Sequence, residues 1–222
     1  MSGAFHRDGY IKVENVIPKD MCKIFTQYAL FDMLGDFTIE DNSPQVPNTH
    51  SVYGDYLMES LLLYVKPIVE KNTGLELIPT YSYYRVYKPG DVLEKHVDRF
   101  ACEVSTTLTL GFNYRMLASD YRWGISFHDD NDNKKTVYTD PGEMVIYKGC
   151  DLIHSRSAME GAENSYHVQV FLHYVDAHGN NTEEKYDTRP AIGTMKKRQM
   201  AGPDHPLSKG YKLPPKSYNI KK

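Results

Sequence analysis

PTYSYYRVYKPGDVLEKHVD, residues 79–98, reads as two short strands joined by a turn. Tyr81, Tyr83, Arg85 and Tyr87 share one face of the first, because side chains two residues apart on a strand point the same way. Pro89-Gly90 then breaks the run, and a second run ends on His96-Val97-Asp98. The same period-two geometry sends His96 and Asp98 to one side. An imidazole and a carboxylate side by side at a strand end form either a surface ion pair or two ligands of a metal.

The texture persists downstream. VLEKHVD (92–98), CEVSTTLTLGF (102–112), WGISF (123–127), KTVYT (135–139), EMVIY (143–147), DLIHSRS (151–157) and YHVQVFLHYV (166–175) follow PTYSYYRVY (79–87), with turn signals between them. Eight short strands with no helical period between them predict a mainly β (α+β) fold with a jelly-roll, double-stranded β-helix core. Upstream, YIKVENVI (10–17) alternates as a strand. Pro18 opens a helix with Met21, Ile24, Phe25, Tyr28 and Ala29 at helical spacing. Residues 35–54 read as a loop. Leu57, Leu61, Val65 and Ile68 mark a second helix, kinked at Pro67 and capped by Gly74. The expected organisation is a supporting N-terminal part (1–75), a jelly-roll core (76–180) in the same domain, and a tail (181–222).

From Met195 to Lys222 that tail carries eight basic residues (Lys196, Lys197, Arg198, Lys209, Lys212, Lys216, Lys221 and Lys222) against Asp204 in a chain of net charge -3. With Pro203, Pro206, Pro214 and Pro215 and little apolar period it reads as a solvated arm, and nucleic acid is a disfavoured partner for it. Composition is otherwise globular, 41% hydrophobic and 25% charged. Cys22, Cys102 and Cys150 form no CxxC pair, so neither a zinc ribbon nor a disulfide framework is indicated. There is no signal-peptide core and no membrane-spanning run, so a soluble cytoplasmic protein is expected.

In the strand-rich part of the chain His-x-Asp occurs at His96-Asp98 and at His128-Asp130, the latter in a polar hairpin that reads as a solvated turn. The first is matched by His154, near the start of the seventh strand. Terminal strands of a jelly roll lie close together, so these three residues can meet although 58 positions separate the distal pair. Two imidazoles and one carboxylate form the facial triad of non-haem Fe(II) oxygenases, which leaves three positions on the metal open. A closed structural zinc site would leave none.

YRVYKPGDVLEKHVD, STTLTLGFN, WGISF, PGEMVIY, IHSRS and YHVQVFLHYVD, in that order, resemble the catalytic core of the Fe(II)/2-oxoglutarate-dependent dioxygenases, in particular the prolyl 4-hydroxylase-like branch. FHRDGYIKVENVIP is similar to that family's opening strand. The resemblance implies that His96, Asp98 and His154 hold Fe(II), with 2-oxoglutarate as co-substrate, dioxygen as oxidant and ascorbate as a reductant. It implies hydroxylation of an unactivated C–H bond in a peptidyl proline, a free amino acid or a small metabolite, with release of succinate and CO2. Tyr87 stands where the family's Y-x-P-G tyrosine donates to the co-substrate. The basic residue that usually follows the distal histidine is missing: Glu163, Asn164, Ser165 and Tyr166 occupy that region. Aligning the last strand by HYVD puts His167 at the anchor position, while Arg156, on the face of His154, and Arg85 are the other candidates. The rival readings are a nucleic-acid demethylase of the same superfamily, a cupin-type epimerase and a non-catalytic jelly-roll binding module.

Overall fold

A computed structural model describes residues 2–35, 45–129 and 131–194. Met1, residues 36–44 of the expected loop 35–54, Asp130 and the tail beyond 194 lie outside the described residues. The chain runs α1 (Ser2–Asp8), β1 (Tyr10–Val13), α2 (Lys19–Gly35), β2 (His50–Tyr53), α3 (Tyr56–Thr73), β3 (Leu77–Tyr87), β4 (Leu93–His96), β5 (Val104–Asn113), β6 (Ile125–His128), β7 (Lys134–Val137), β8 (Met144–Lys148), β9 (His154–Arg156) and β10 (Tyr166–Asp176).

All eight expected core strands form. They fall into two antiparallel sheets, ordered β1-β8-β5-β10-β3-β2 and β4-β9-β6-β7. Alternation along β10 explains its central place. Val168, Val170, Leu172 and Tyr174 face outward into the main hydrophobic core with Leu62, Val65 and Val69 of α3 and Phe25 and Ala29 of α2. Burying each such aliphatic side chain contributes about 1.5–3 kcal/mol. His167, Gln169, Phe171 and His173 take the other face, toward the second sheet. Both helices therefore brace the outer face of the large sheet, while polar side chains fill the space between sheets.

Caps set the bounds of α3. Asp55 accepts from the Met58 amide at 3.0 Å, and Gly74 closes the helix in a left-handed conformation, φ 76°. The helix runs on through Pro67.

Three features differ from the sequence reading. Residues 50–53, read as loop, pair with β3 as an edge strand, His50 opposite Val86 and Tyr53 opposite Tyr83. Ser2–Asp8 forms a helix where none was expected. Residues 182–194, assigned to the tail, are packed against the core. Arg189 and Glu59 form a buried ion pair at 2.5 Å, and Asp187, also buried, pairs with Arg99 at 2.6 Å. Among the described residues, no helix is long and apolar enough to cross a membrane.

Candidate metal centre and cavity

β4 and β9 are neighbours, and their register sets His96 directly opposite His154. The ring centroids stand 4.3 Å apart. Asp98 lies just past β4, where its amide donates to the Gly149 carbonyl at 2.8 Å. That anchoring brings Asp98 Oδ1 to 3.6 Å from His96 Nε2 and 3.6 Å from His154 Nε2.

The tautomers follow from the backbone. His96 Nδ1 lies 2.8 Å from the Glu94 carbonyl, and His154 Nδ1 lies 2.8 Å from the Leu152 carbonyl. A carbonyl only accepts, so each Nδ1 carries a proton, and each Nε2 is the nitrogen that faces Asp98, able to donate to it when protonated or to take a metal when not. Both nitrogens thus stand 3.6 Å from Asp98 Oδ1, near the roughly 3 Å that cis ligands about 2.1 Å from one cation require, and ligand atoms of the three residues all lie within 4.8 Å of one another. Burial alone would raise the Asp98 pKa, but the two imidazoles hold it far below the usual carboxylate range. Burial lowers and Asp98 raises the His96 pKa, and the net shift is upward. The donor set fits a divalent cation that binds imidazole and carboxylate.

Glycine at 149 makes this geometry possible. A Cβ there would stand 2.2 Å from the Cys102 carbonyl and 2.6 Å from both Asp98 Oδ2 and Ser105 Oγ. Behind Asp98, Ser105 Oγ donates to Oδ2 at 2.7 Å and lies 3.0 Å from His173 Nδ1. Burial pushes the His173 pKa down to about 4. Cys102 is a buried thiol 3.1 Å from the Tyr81 hydroxyl, and burial pushes its pKa well above the ordinary value. Strand alternation puts His173 on the inward face with His167, but Ser105 did not stand out in the sequence, since no local pattern marks a hydrogen bond across 68 residues.

The trio opens into a cavity of about 740 Å³, whose walls include Tyr81, Tyr83, Arg85, Leu93, Ile125 and Phe171. Two guanidiniums reach the space between the sheets. Arg85 donates to the Tyr83 and Tyr87 hydroxyls at 3.2 and 3.3 Å. Tyr87, fully buried, meets Trp123 edge-on at 4.7 Å. Arg156, two residues past His154 on the same face of β9, is 2% exposed. It donates to the Trp123 carbonyl at 3.1 Å and to Thr107 Oγ1 at 3.2 Å, and its Nε has no partner among the described residues. No described carboxylate forms an ion pair with it, and burial lowers its pKa.

His167 behaves differently from the expected anchor. Its Nδ1 meets the Tyr114 hydroxyl at 2.6 Å, and its Nε2 meets Gln169 Oε1 at 2.6 Å. Burial, with Arg156 nearby, drives its pKa down to about 3. It is a neutral imidazole with both nitrogens engaged. His128 turns away from the trio to hydrogen-bond Ser155 at 2.9 Å and Asp132 at 3.2 Å. It is buried by this contact rather than solvated, as its sequence context had indicated.

No family model and no curated protein matches the sequence. Solved structures match its fold. The non-heme alpha ketoglutarate dependent epimerase SnoN from nogalamycin biosynthesis superposes with TM-score 0.63 at 15% identity over 79% of this chain and 81% of that one. A Pseudomonas putida prolyl-4-hydroxylase gives TM-score 0.56 at 12% identity over 77% and 95%. EctD from S. alaskensis, solved with 2-oxoglutarate and 5-hydroxyectoine, gives 0.57 at 18% identity over 79% and 74%. At these identities the likeness is one of fold.

Proposed function

We propose that the chain is an Fe(II)- and 2-oxoglutarate-dependent dioxygenase that hydroxylates an unactivated C–H bond. The observation that carries this reading is the convergence of His96 Nε2 and His154 Nε2, each 3.6 Å from Asp98 Oδ1, on one wall of a cavity. The two sheets are then the halves of a double-stranded β-helix, with residues 76–180 as catalytic core and 1–75 as support. The order of motifs favours the prolyl 4-hydroxylase-like branch, and a cytoplasmic enzyme fits this reading.

Bound Fe(II), with 2-oxoglutarate and dioxygen, supplies the oxidising power for C–H hydroxylation, releasing succinate and CO2. The chain's own groups do the rest. His96, Asp98 and His154 hold the metal by one face. Arg156, charged at any physiological pH and carrying no carboxylate among the described residues, receives the far carboxylate of the co-substrate, which would otherwise be buried unpaired at a cost of several kcal/mol. His167 stays neutral and keeps Gln169 oriented: Gln169 Nε2 donates to Thr107 Oγ1 at 2.7 Å, the hydroxyl that also accepts from Arg156. Tyr87 lies where its hydroxyl can donate to the co-substrate, and Tyr81, Tyr83, Leu93 and Phe171 exclude water from the substrate's side of the cavity. The substrate is a peptidyl proline, a free amino acid or a small metabolite.

The test is succinate formation from 2-oxoglutarate by Fe(II)-loaded protein, across a panel of free amino acids and proline-containing peptides. Turnover above that of His96→Ala protein supports the reading. Equal succinate from both proteins rejects it.

A further inference from the structure

Asp98 is held at both ends of its carboxylate. Oδ1 faces the two imidazoles, and Oδ2 faces inward to Ser105 Oγ at 2.7 Å. Ser105 has one proton, and the acceptors near it include Asp98 Oδ2, the Cys102 carbonyl at 3.0 Å and the Tyr147 hydroxyl. The shorter contact is to the charged oxygen, which draws a hydroxyl proton more strongly. His173 Nδ1, also 3.0 Å from that Oγ, must then donate to it. The ring of His173 is fixed in turn by Tyr81, 4.5 Å between centroids. Ser105 is fully buried and His173 is 5% exposed, so water does not compete for these bonds.

Asp98, Cys102 and His173 also offer ligand atoms within 4.8 Å of one another, the spacing of a second metal site. The Ser105 hydroxyl stands between Asp98 and His173, however, and the Cys102 sulfur is engaged by Tyr81 at 3.1 Å. The cluster is a hydrogen-bonded support.

We propose that Ser105, backed by His173, is a positioning residue for the metal-binding carboxylate: it keeps Oδ2 out of the coordination sphere, so that Asp98 presents Oδ1 alone. This rests on the reading of His96, Asp98 and His154 as Fe(II) ligands. Its consequence is a coordination count. A six-coordinate cation with three protein ligand atoms keeps three positions free, whereas a carboxylate that swings to chelate through both oxygens leaves two. Chelating co-substrate and dioxygen together need three.

Co(II), added to metal-free protein as a spectroscopic substitute, tests this without turnover. Ser105→Ala is expected to bind Co(II) about ten- to a hundredfold more weakly, the usual loss when an outer partner of a metal ligand is removed, with a changed visible d–d spectrum. His173→Phe preserves the ring and leaves Ser105 in place, but removes the donor that directs the hydroxyl toward Asp98. It is expected to shift affinity and spectrum the same way by a smaller factor. If both variants match the parent in Co(II) affinity and spectrum, with only their thermal stability altered, the role is structural and the proposal is overturned. If the parent binds no Co(II), or binds it equally well after His96→Ala, the metal reading itself falls and this proposal with it.

Discussion

Arg156→Met sets co-substrate affinity against stability. In the metal- and ligand-free protein a guanidinium 2% exposed, with an unpartnered Nε and no carboxylate partner among the described residues, is costly to keep buried. Exchanging buried ionic groups for an apolar side chain of similar volume is often neutral or stabilising. Two hydrogen bonds, to the Trp123 carbonyl and to Thr107, are lost against that gain. The net expectation is an unchanged or raised melting temperature, at about 2–4 °C per kcal/mol for a chain of this size. The effect on 2-oxoglutarate is opposite and larger. A hydrogen-bonded charge pair contributes about 1.5–3 kcal/mol, and a carboxylate left buried without its partner raises the loss to about 3–5 kcal/mol. At about 1.4 kcal/mol per decade, KM for 2-oxoglutarate should rise roughly 100- to 4000-fold. Arg156→Lys should recover part of this, since it keeps the charge but loses the planar fork. Paired with this, 2-oxoglutarate affinity of the parent should be flat from about pH 6 to about pH 9. Arginine does not titrate there, and His167, its pKa pushed down to about 3, is neutral throughout. Differential scanning fluorimetry and steady-state succinate assays read both arms. A melting temperature several degrees lower with KM unmoved would refute the reasoning.

His96→Ala, Asp98→Ala and His154→Ala should each abolish iron retention, measured by metal analysis after desalting, whereas His128→Ala should retain iron, because its ring bonds Ser155 and Asp132 instead. His167 also contributes to acid sensitivity. Its folded pKa lies below that of the unfolded chain, so the unfolded state binds the extra proton and stability falls as pH drops below about 6.5. Between pH 7.5 and 5.5 the parent should lose about 1.4 kcal/mol more than His167→Gln in urea titrations; identical pH slopes would contradict a neutral buried imidazole. Truncation after Asn181 removes Arg189 and leaves Glu59 buried without its guanidinium, a loss of about 3–5 kcal/mol, whereas truncation after Thr194 keeps that pair. Circular-dichroism melts of the two truncations should therefore differ by about 6 °C or more.

The sequence by itself determined the strand core and picked out the trio His96, Asp98 and His154 that the structure brings together. Period-two alternation over runs such as CEVSTTLTLGF and YHVQVFLHYV is local information, and each strand formed where its pattern lay. His96, Asp98 and His154 were legible because the turn after Tyr87 and the strand order confine them to one end of neighbouring strands. β2 was not legible: HSVY is four residues amid turn-forming neighbours, and only the exposed edge of β3 recruits it. The packed segment 182–194 was hidden for a similar reason, since its hold comes from Glu59 and Arg99, more than eighty residues away in the chain. The choice between His167 and Arg156 was beyond sequence altogether. Both residues point into the same space, but an imidazole's charge depends on how far it is removed from water and on what its nitrogens meet, while a guanidinium keeps its charge almost regardless. Burial depth and the contacts of Tyr114 and Gln169 with His167 are properties of the assembled sheets, and they leave His167 neutral while Arg156 keeps its charge.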